Sequence, residues 1–349
     1  MDTKTKKPSL LNIYALATVI SLALVAFVGL RAGLSAFVLV LVLIALEITF
    51  SVDNAVINTK ILQKMTPGWQ QAFLTVGILI AVFLVRVVLP VYIVVIASGL
   101  SVGTVMDLAL NHPEEYGHRL EEAHPVIASF GGVFLLMIFL DFFFRWRKTK
   151  WLVKLETILQ NAGKLESLSV ILALGLILLI SRLAGGEDQQ TILVSGIVGL
   201  LTYLAINSID TLLEKTRRAG GVKSVAKSGF KAGLIGFLYL NVIDASFSLD
   251  GVIGAFAITN QILLIAVGLG IGALYVRVIT IHMLRHGILE QYKYMEHGAH
   301  YAIGILASIM LLSLHFEISE FVAGLGGVAF ISTAVLHSYL ESKKGPPPA

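Results

Sequence analysis

The chain contains no cysteine, which excludes a disulfide framework, a thiolate metal site and a cysteine nucleophile. Any metal it handles must be held by oxygen or imidazole. Charge is also scarce: 14% of the 349 residues are Asp, Glu, Lys or Arg, against 56% hydrophobic, and the mean hydropathy is +0.86. No soluble domain of this size tolerates that balance, so a lipid bilayer is the solvent the composition fits. No Pro/Ser/Gly-rich linker divides the chain, and no G-x4-G-K-[ST] pattern occurs, which argues against ATP hydrolysis. The net charge of +4 and pI near 9.1 would suggest nucleic acid in a soluble protein. Here the basic residues fall between apolar runs, so they read as membrane topology, and nucleic acid is not expected as a partner.

What is present is a series of apolar stretches about twenty residues long, the length a helix needs to cross a bilayer. They cover 10–30, 34–62, 70–97, 126–144, 168–183, 191–210, 232–257, 261–284, 299–315 and 320–339. The expected fold class is therefore an all-α, polytopic transmembrane bundle of about ten spans. The first follows a basic start and is longer than a signal-peptide core, so it reads as a retained span. The strongest basic segments are 145–154 and 214–231; a ten-span count puts both, with Lys60, Lys64, the 285–293 segment and Lys343/Lys344, on one side. By the positive-inside rule that side is the cytoplasm, with both termini there and the acidic 98–125 and 185–190 connections outside. The membrane expected is the inner, cytoplasmic one. The organisation expected is a tail and first span (1–33), a first membrane repeat (34–210), a basic cytoplasmic loop (211–231), a second repeat (232–340) and a disordered tail (341–349).

An internal repeat links the halves. LEITFSVDNAV in the second span and IDASFSLDGVI in the seventh align Glu47 with Asp244, Phe50 with Phe247, Ser51 with Ser248 and Asp53 with Asp250. One helix later, Gly77 to Arg86 lies against Gly268 to Arg277, and one helix further His124 matches His300. Equivalent spans are five apart, an odd number, so the halves cross the membrane in opposite senses. This is an inverted-topology repeat whose acidic helices are expected to meet near the midplane.

Each carboxylate in hydrocarbon opposes insertion by about 2.5–3.5 kcal/mol, so Glu47, Asp53, Asp244 and Asp250 together need a function. In a regular helix Glu47, Ser51 and Asn54 share a face, as do Asp244, Ser248 and Gly251, whereas Asp53 and Asp250 lie about 120° away. A helix break near 51–54 and another near 248–251 would let these oxygens converge. With Arg86 and Arg277 the four acids sum to minus two, the complement of one divalent cation. The bland reading gives each Arg to one acid as a buried ion pair; the arginines read as charge-pairing or gating residues. The ligand set expected is Glu47, Ser51, Asp53, Asn54, Asp244, Ser248 and Asp250. Carboxylate, amide and hydroxyl oxygens suit Mn, Ca or Mg. His112, His118 and His124, with Glu114, Glu115, Glu121 and Glu122, could form a weak metal-collecting mouth, although a solvated acidic loop is the better default.

At Glu47 to Ala55 (E-I-T-F-S-V-D-N-A) and Asp244 to Thr259 (D-A-S-F-S-L-D-G-V-I-G-A-F-A-I-T) the chain resembles the TerC family of integral membrane proteins, associated with tellurium resistance and manganese export. The resemblance covers about residues 34–315 and looks like a long branch of that family. It implies metal-coordinating roles for Glu47, Asp53, Asn54, Asp244 and Asp250. Two departures stand out: Gly251-Val252-Ile253 replaces the family's Ser-Ile-Pro, and the family usually has fewer spans.

The expectation is a secondary transporter exporting Mn²⁺ or a similar hard divalent ion, without enzymatic activity or a tightly bound cofactor. One alternative is a non-transporting accessory protein in metal supply or stress response. Another is an intramembrane aspartyl protease using Asp53 and Asp250, but the Y-D and G-x-G-D patterns are absent and Glu47 and Asp244 would go unexplained. The oligomeric state is left open.

Overall fold

The computed structural model describes residues 10–343 apart from 166, 187, 220, 221, 257, 260, 317 and 319. Among these residues there is no strand. The elements are α1 (Leu10–Phe50), α2 (Val52–Leu62), α3 (Pro67–Leu79), a π-helical segment (Ile80–Val88), α4 (Leu89–Ser98), α5 (Val102–Asn111), α6 (Pro113–Glu122), α7 (His124–Phe144), α8 (Val153–Ala162), α9 (Leu168–Ala184), α10 (Asp188–Ala219), α11 (Val222–Phe256), α12 (Ile262–His286), α13 (Ile288–Gln291), α14 (Met295–Leu312) and α15 (Glu320–Ser342). Among the described residues five stretches are long and apolar enough to cross a membrane: Ala17–Phe50, Pro67–Ser98, His124–Phe144, Asp188–Ser208 and Ile262–His286; Leu168–Ala184 and Gly233–Ser248 are shorter apolar helices. The protein is an all-α helical membrane bundle.

α1 is two helical arms joined at Gly33 rather than one straight helix. At Gly33 the backbone has φ 87° and ψ 180°, outside the helical region and in the half of φ that only glycine enters freely. The arms fold back on each other, so that a Cβ on Gly29 would lie 3.2 Å from the Phe37 ring. In a straight helix eight residues span about 12 Å. The arms also meet α12 in opposite senses. Tyr14 and Thr18 pack on His282 and Tyr275, whereas Leu43 and Glu47 pack on Gly268 and Gly272. The reversal separates the first two expected spans.

Contacts at the loops sort the helix ends into two groups. At one end Lys60 pairs with Glu296 at 2.8 Å, Arg147 with the same carboxylate at 3.3 Å and Lys293 with Glu341 at 2.6 Å. Trp151 Nε1 donates to His337 Nδ1 there, at 2.9 Å. At the other end Ser313 bonds His124 at 3.1 Å, His315 bonds the Ile180 carbonyl at 3.1 Å, and Tyr116 packs on Phe256. Basic segments from both halves therefore share one end, as a ten-span parity requires.

Two connections differ from expectation. The 98–125 stretch is not an open loop but contains α5 and α6, whose Val105, Leu108, Tyr116 and Leu120 are buried in a core shared with α4 and α11. The 211–231 stretch is also helical, because α10 runs to Ala219 and α11 starts at Val222. Lys, Arg and Ala are good helix formers; residues 220 and 221 lie outside the described residues. The tails 1–9 and 344–349 lie outside the described residues.

The repeat has a spatial counterpart. Asn54 on α2 touches Asp244 on α11, and a Cβ on Gly251 would lie 3.5 Å from Glu47 Oε2. In the repeat, Asn54 is the partner of Gly251 and Glu47 of Asp244. One contact is therefore the two-fold mate of the other, on helices running antiparallel. Likewise α7 and α14 cross antiparallel through Gly131 and Gly132 against Met310 and Leu311, and Gly304 against Phe139.

Candidate functional site

The site lies where the α1/α2 junction, the π-helical segment, α11 and α12 meet. α12 reaches α1 closely because it presents Gly268 and Gly272 on one face, a small-xxx-small spacing suited to close helix crossings. A Cβ on Gly268 would fall 2.5 Å from Leu43 Cβ, and one on Gly272 would fall 2.4 Å from Glu47 Cβ and Cγ. The close crossing holds the Glu47 stem against α12.

Two buried ion pairs follow, one in each half. Arg86 Nη2 pairs with Glu47 Oε1, and Arg277 Nη2 pairs with Asp244 Oδ2 at 2.9 Å. Ser51 Oγ donates to Glu47 Oε1 at 3.1 Å, and Asn54 Nδ2 donates to Asp244 Oδ1 at 2.6 Å. Each acid is thus held by an arginine and by a neutral donor from the Ser51–Asn54 segment. The arginines complete their hydrogen bonds differently. Arg86 Nη1 donates to the Ala81 carbonyl at 2.7 Å, five residues back along its own π-helical segment, where wide turns offer carbonyls to an inserted side chain. Arg277 reaches across the halves, with its guanidinium 3.7 Å from the centre of the Phe73 ring and Nη1 3.5 Å from the Phe73 carbonyl.

Of the two expected helix breaks, one is present. α1 ends at Phe50 and α2 begins at Val52, with Ser51 at φ −107° and ψ 16° between them. The equivalent stretch of α11 is unbroken, even with Gly251 and Gly254 available. Among the described residues, which leave out the Asp250 side chain, no group of three or more His, Asp or Glu side chains is arranged to hold a metal ion. The reason is that Glu47 and Asp244 are each turned onto an arginine. The histidines of the 98–125 stretch are dispersed as well, His118 facing solvent beside Glu121 and His124 turned to Ser313.

Asp53 is the exception. It is buried, accepts from the Asn54 backbone N–H at 2.9 Å, and among the described residues has no Lys, Arg or His within ion-pair distance. On the same helix Asn54 Oδ1 and both side-chain atoms of Asn58 are buried without partners, as is Ser248 Oγ on α11, which the antiparallel register sets level with the Ser51 break. Asn58 was not among the residues expected from sequence. It is 0% exposed and sits one turn beyond Asn54 on the same helix face, so a search for neutral oxygens at i+4 from the motif would have found it. The Asp250 side chain lies outside the described residues, although its backbone is within α11.

No curated protein and no solved structure matches this chain. A family model described as a protein of unknown function, DUF475, matches residues 52–345, from the break at Ser51 to the end of α15. The chain belongs to that family.

Proposed function

We propose that this protein is a membrane transporter that exports a hard divalent cation, Mn²⁺ first, by a path crossing the paired acidic helices. The observation that carries the reading is Asp53, a buried carboxylate with no cationic partner among the described residues, on a helix whose Asn54 and Asn58 carry buried amide oxygens that lack partners. Such groups are costly in a low-dielectric interior unless something compensates them. An oxygen-only set with a carboxylate fits a hard divalent ion. The TerC-like motifs point the same way.

In this reading Arg86 and Arg277 are tethered cations. An ion drawing on Glu47 or Asp244 has to compete with them, so each half can release its acid in turn and the two pairs serve as gates. The basic end of the bundle faces the cytoplasm by the positive-inside rule, and the membrane is the inner one. A non-transporting accessory role in metal supply is the second reading, favoured by the neutralisation of Glu47 and Asp244.

The test is Mn²⁺ flux in vesicles containing only this protein. Asp53→Asn is expected to insert normally and to lose flux by about 100-fold, the upper end of what losing even an outer partner costs a metal site. Wild-type flux in the Asp53→Asn vesicles would end the proposal, and no flux in the wild type would favour the accessory role.

A further inference from the structure

Between α7 and α9 the chain does something the transport site does not require. The segment 145–152 leaves the end of α7 and packs Trp151 on Tyr301 of α14 and Phe330 of α15. α8 then runs about 15 Å back to α7, where Gly163 sits so close to Phe144 that a Cβ would fall 2.3 Å from its carbonyl oxygen. α8 thus lies across the basic end of the bundle.

Its polarity is inverted. The residues turned inward are polar: Glu156, 1% exposed, and Gln160. Glu156 is fixed there by the Trp151 and Leu152 backbone N–H groups at 3.1–3.2 Å and by His297 at 3.4 Å. The residues turned outward are apolar: Val153 is 60% exposed, Ile158 66% and Trp146 75%, with Leu152 and Leu155 beside them. Lys148 and Lys154 are exposed among them, and among the described residues neither has a carboxylate within ion-pair distance. A helix facing water would carry the opposite pattern. Apolar residues interleaved with lysines, beside an exposed Trp, are the pattern of a helix lying in the headgroup layer.

We propose that the 145–162 segment, including α8, is an interfacial helix docked on anionic phospholipid headgroups. Charge complementarity selects the ligand: Lys148 and Lys154, with Arg145 nearby, face a leaflet whose anionic lipids attract juxtamembrane cations. Trp146, Val153, Leu155 and Ile158 enter the acyl boundary. Arg147 ties the same segment to Glu296, which also pairs with Lys60 of α2.

The chain lacks cysteine, so Ile158→Cys accepts a single nitroxide label. In nanodiscs the label should collide with oxygen and be shielded from a water-borne nickel chelate. In detergent, native mass spectrometry should find phosphatidylglycerol retained over phosphatidylcholine, with about a five-fold loss in retention per lysine in Lys148→Gln and Lys154→Gln. Free access of nickel to the label would overturn the proposal. Shielding from both reagents would also overturn it, and would mean that protein covers this face. Equal retention of the two lipids, or no change in the lysine variants, would remove the anionic ligand. None of these readouts depends on metal flux, so the inference stands or falls apart from the transport reading.

Discussion

The two halves of the repeat solve one problem, a carboxylate paired with an arginine inside a membrane bundle, with different backbones. In the first half the helix breaks at Ser51 and the arginine sits in a π-helical segment; in the second α11 and α12 are unbroken. Among the described residues both halves hold buried polar atoms without partners: Asn54 Oδ1, Asn58 and Arg86 Nε in the irregular half, and Asn241 Oδ1, Ser248 Oγ and His282 Nδ1 on α11 and α12 of the regular one. The irregularity at Ser51 leaves its backbone satisfied, since Ser51 N–H still donates to the Glu47 carbonyl and Ala55 N–H to the Ser51 carbonyl. The comparison teaches that one buried acid–arginine pairing can be reached on two different backbones.

The sharpest way to break the comparison is to remove the arginines. Arg277→Met strands Asp244 in the interior and should cost about 3–5 kcal/mol, read as thermal unfolding in detergent. Arg277 is 1% exposed and also packs on Phe73, so it should be the more damaging of the two. Arg86→Met should cost less, because each acid keeps one neutral donor and Arg86 bonds only its own segment's Ala81 carbonyl besides Glu47. Pairing Arg277→Met with Asp244→Asn should recover much of the loss, since the penalty lies in the orphaned charge. Equal losses for both arginines would mean that the halves are energetically equivalent.

Next in size is the seam that brings the halves together. Gly272→Ala places a Cβ 2.4 Å from the Glu47 stem and should destabilise by about 1–3 kcal/mol through overpacking. Gly251→Ala meets only ordinary contact at 3.5 Å and should be close to neutral. A reversed order would contradict the packing described.

Asn58 separates stability from function within the irregular half. Replacing its unpartnered amide by leucine should raise stability by about 1–2 kcal/mol while Mn²⁺ flux falls. A structural role alone would leave flux unchanged in Asn58→Leu. The smallest contrast is between the serines. Ser51→Ala loses a hydrogen bond to Glu47 and should cost about 0.5–1.5 kcal/mol, whereas Ser248→Ala, with no partner for its hydroxyl, should be neutral in unfolding midpoint.

Much of this was legible in the amino-acid order, because hydropathy and charge act locally. The absence of cysteine, the apolar spans, the shared side of the basic segments and the repeat of acid and arginine are linear patterns, and a bilayer turns linear patterns into topology. The break at Ser51 was also readable from the spacing of Glu47, Ser51 and Asp53, which no single regular helix face accommodates. What only the tertiary structure decided was which charges meet. Glu47 could in principle have served a cation or an arginine; the close crossing at Gly268 and Gly272, and the π-helical turns that place Arg86, gave it to the arginine. The same packing left Asp53 without a cationic partner and Asn58 without a hydrogen-bond partner among the described residues, and turned Glu156 inward beneath an apolar outer face. Those outcomes depend on distances between residues far apart in the chain, and no local pattern encodes them.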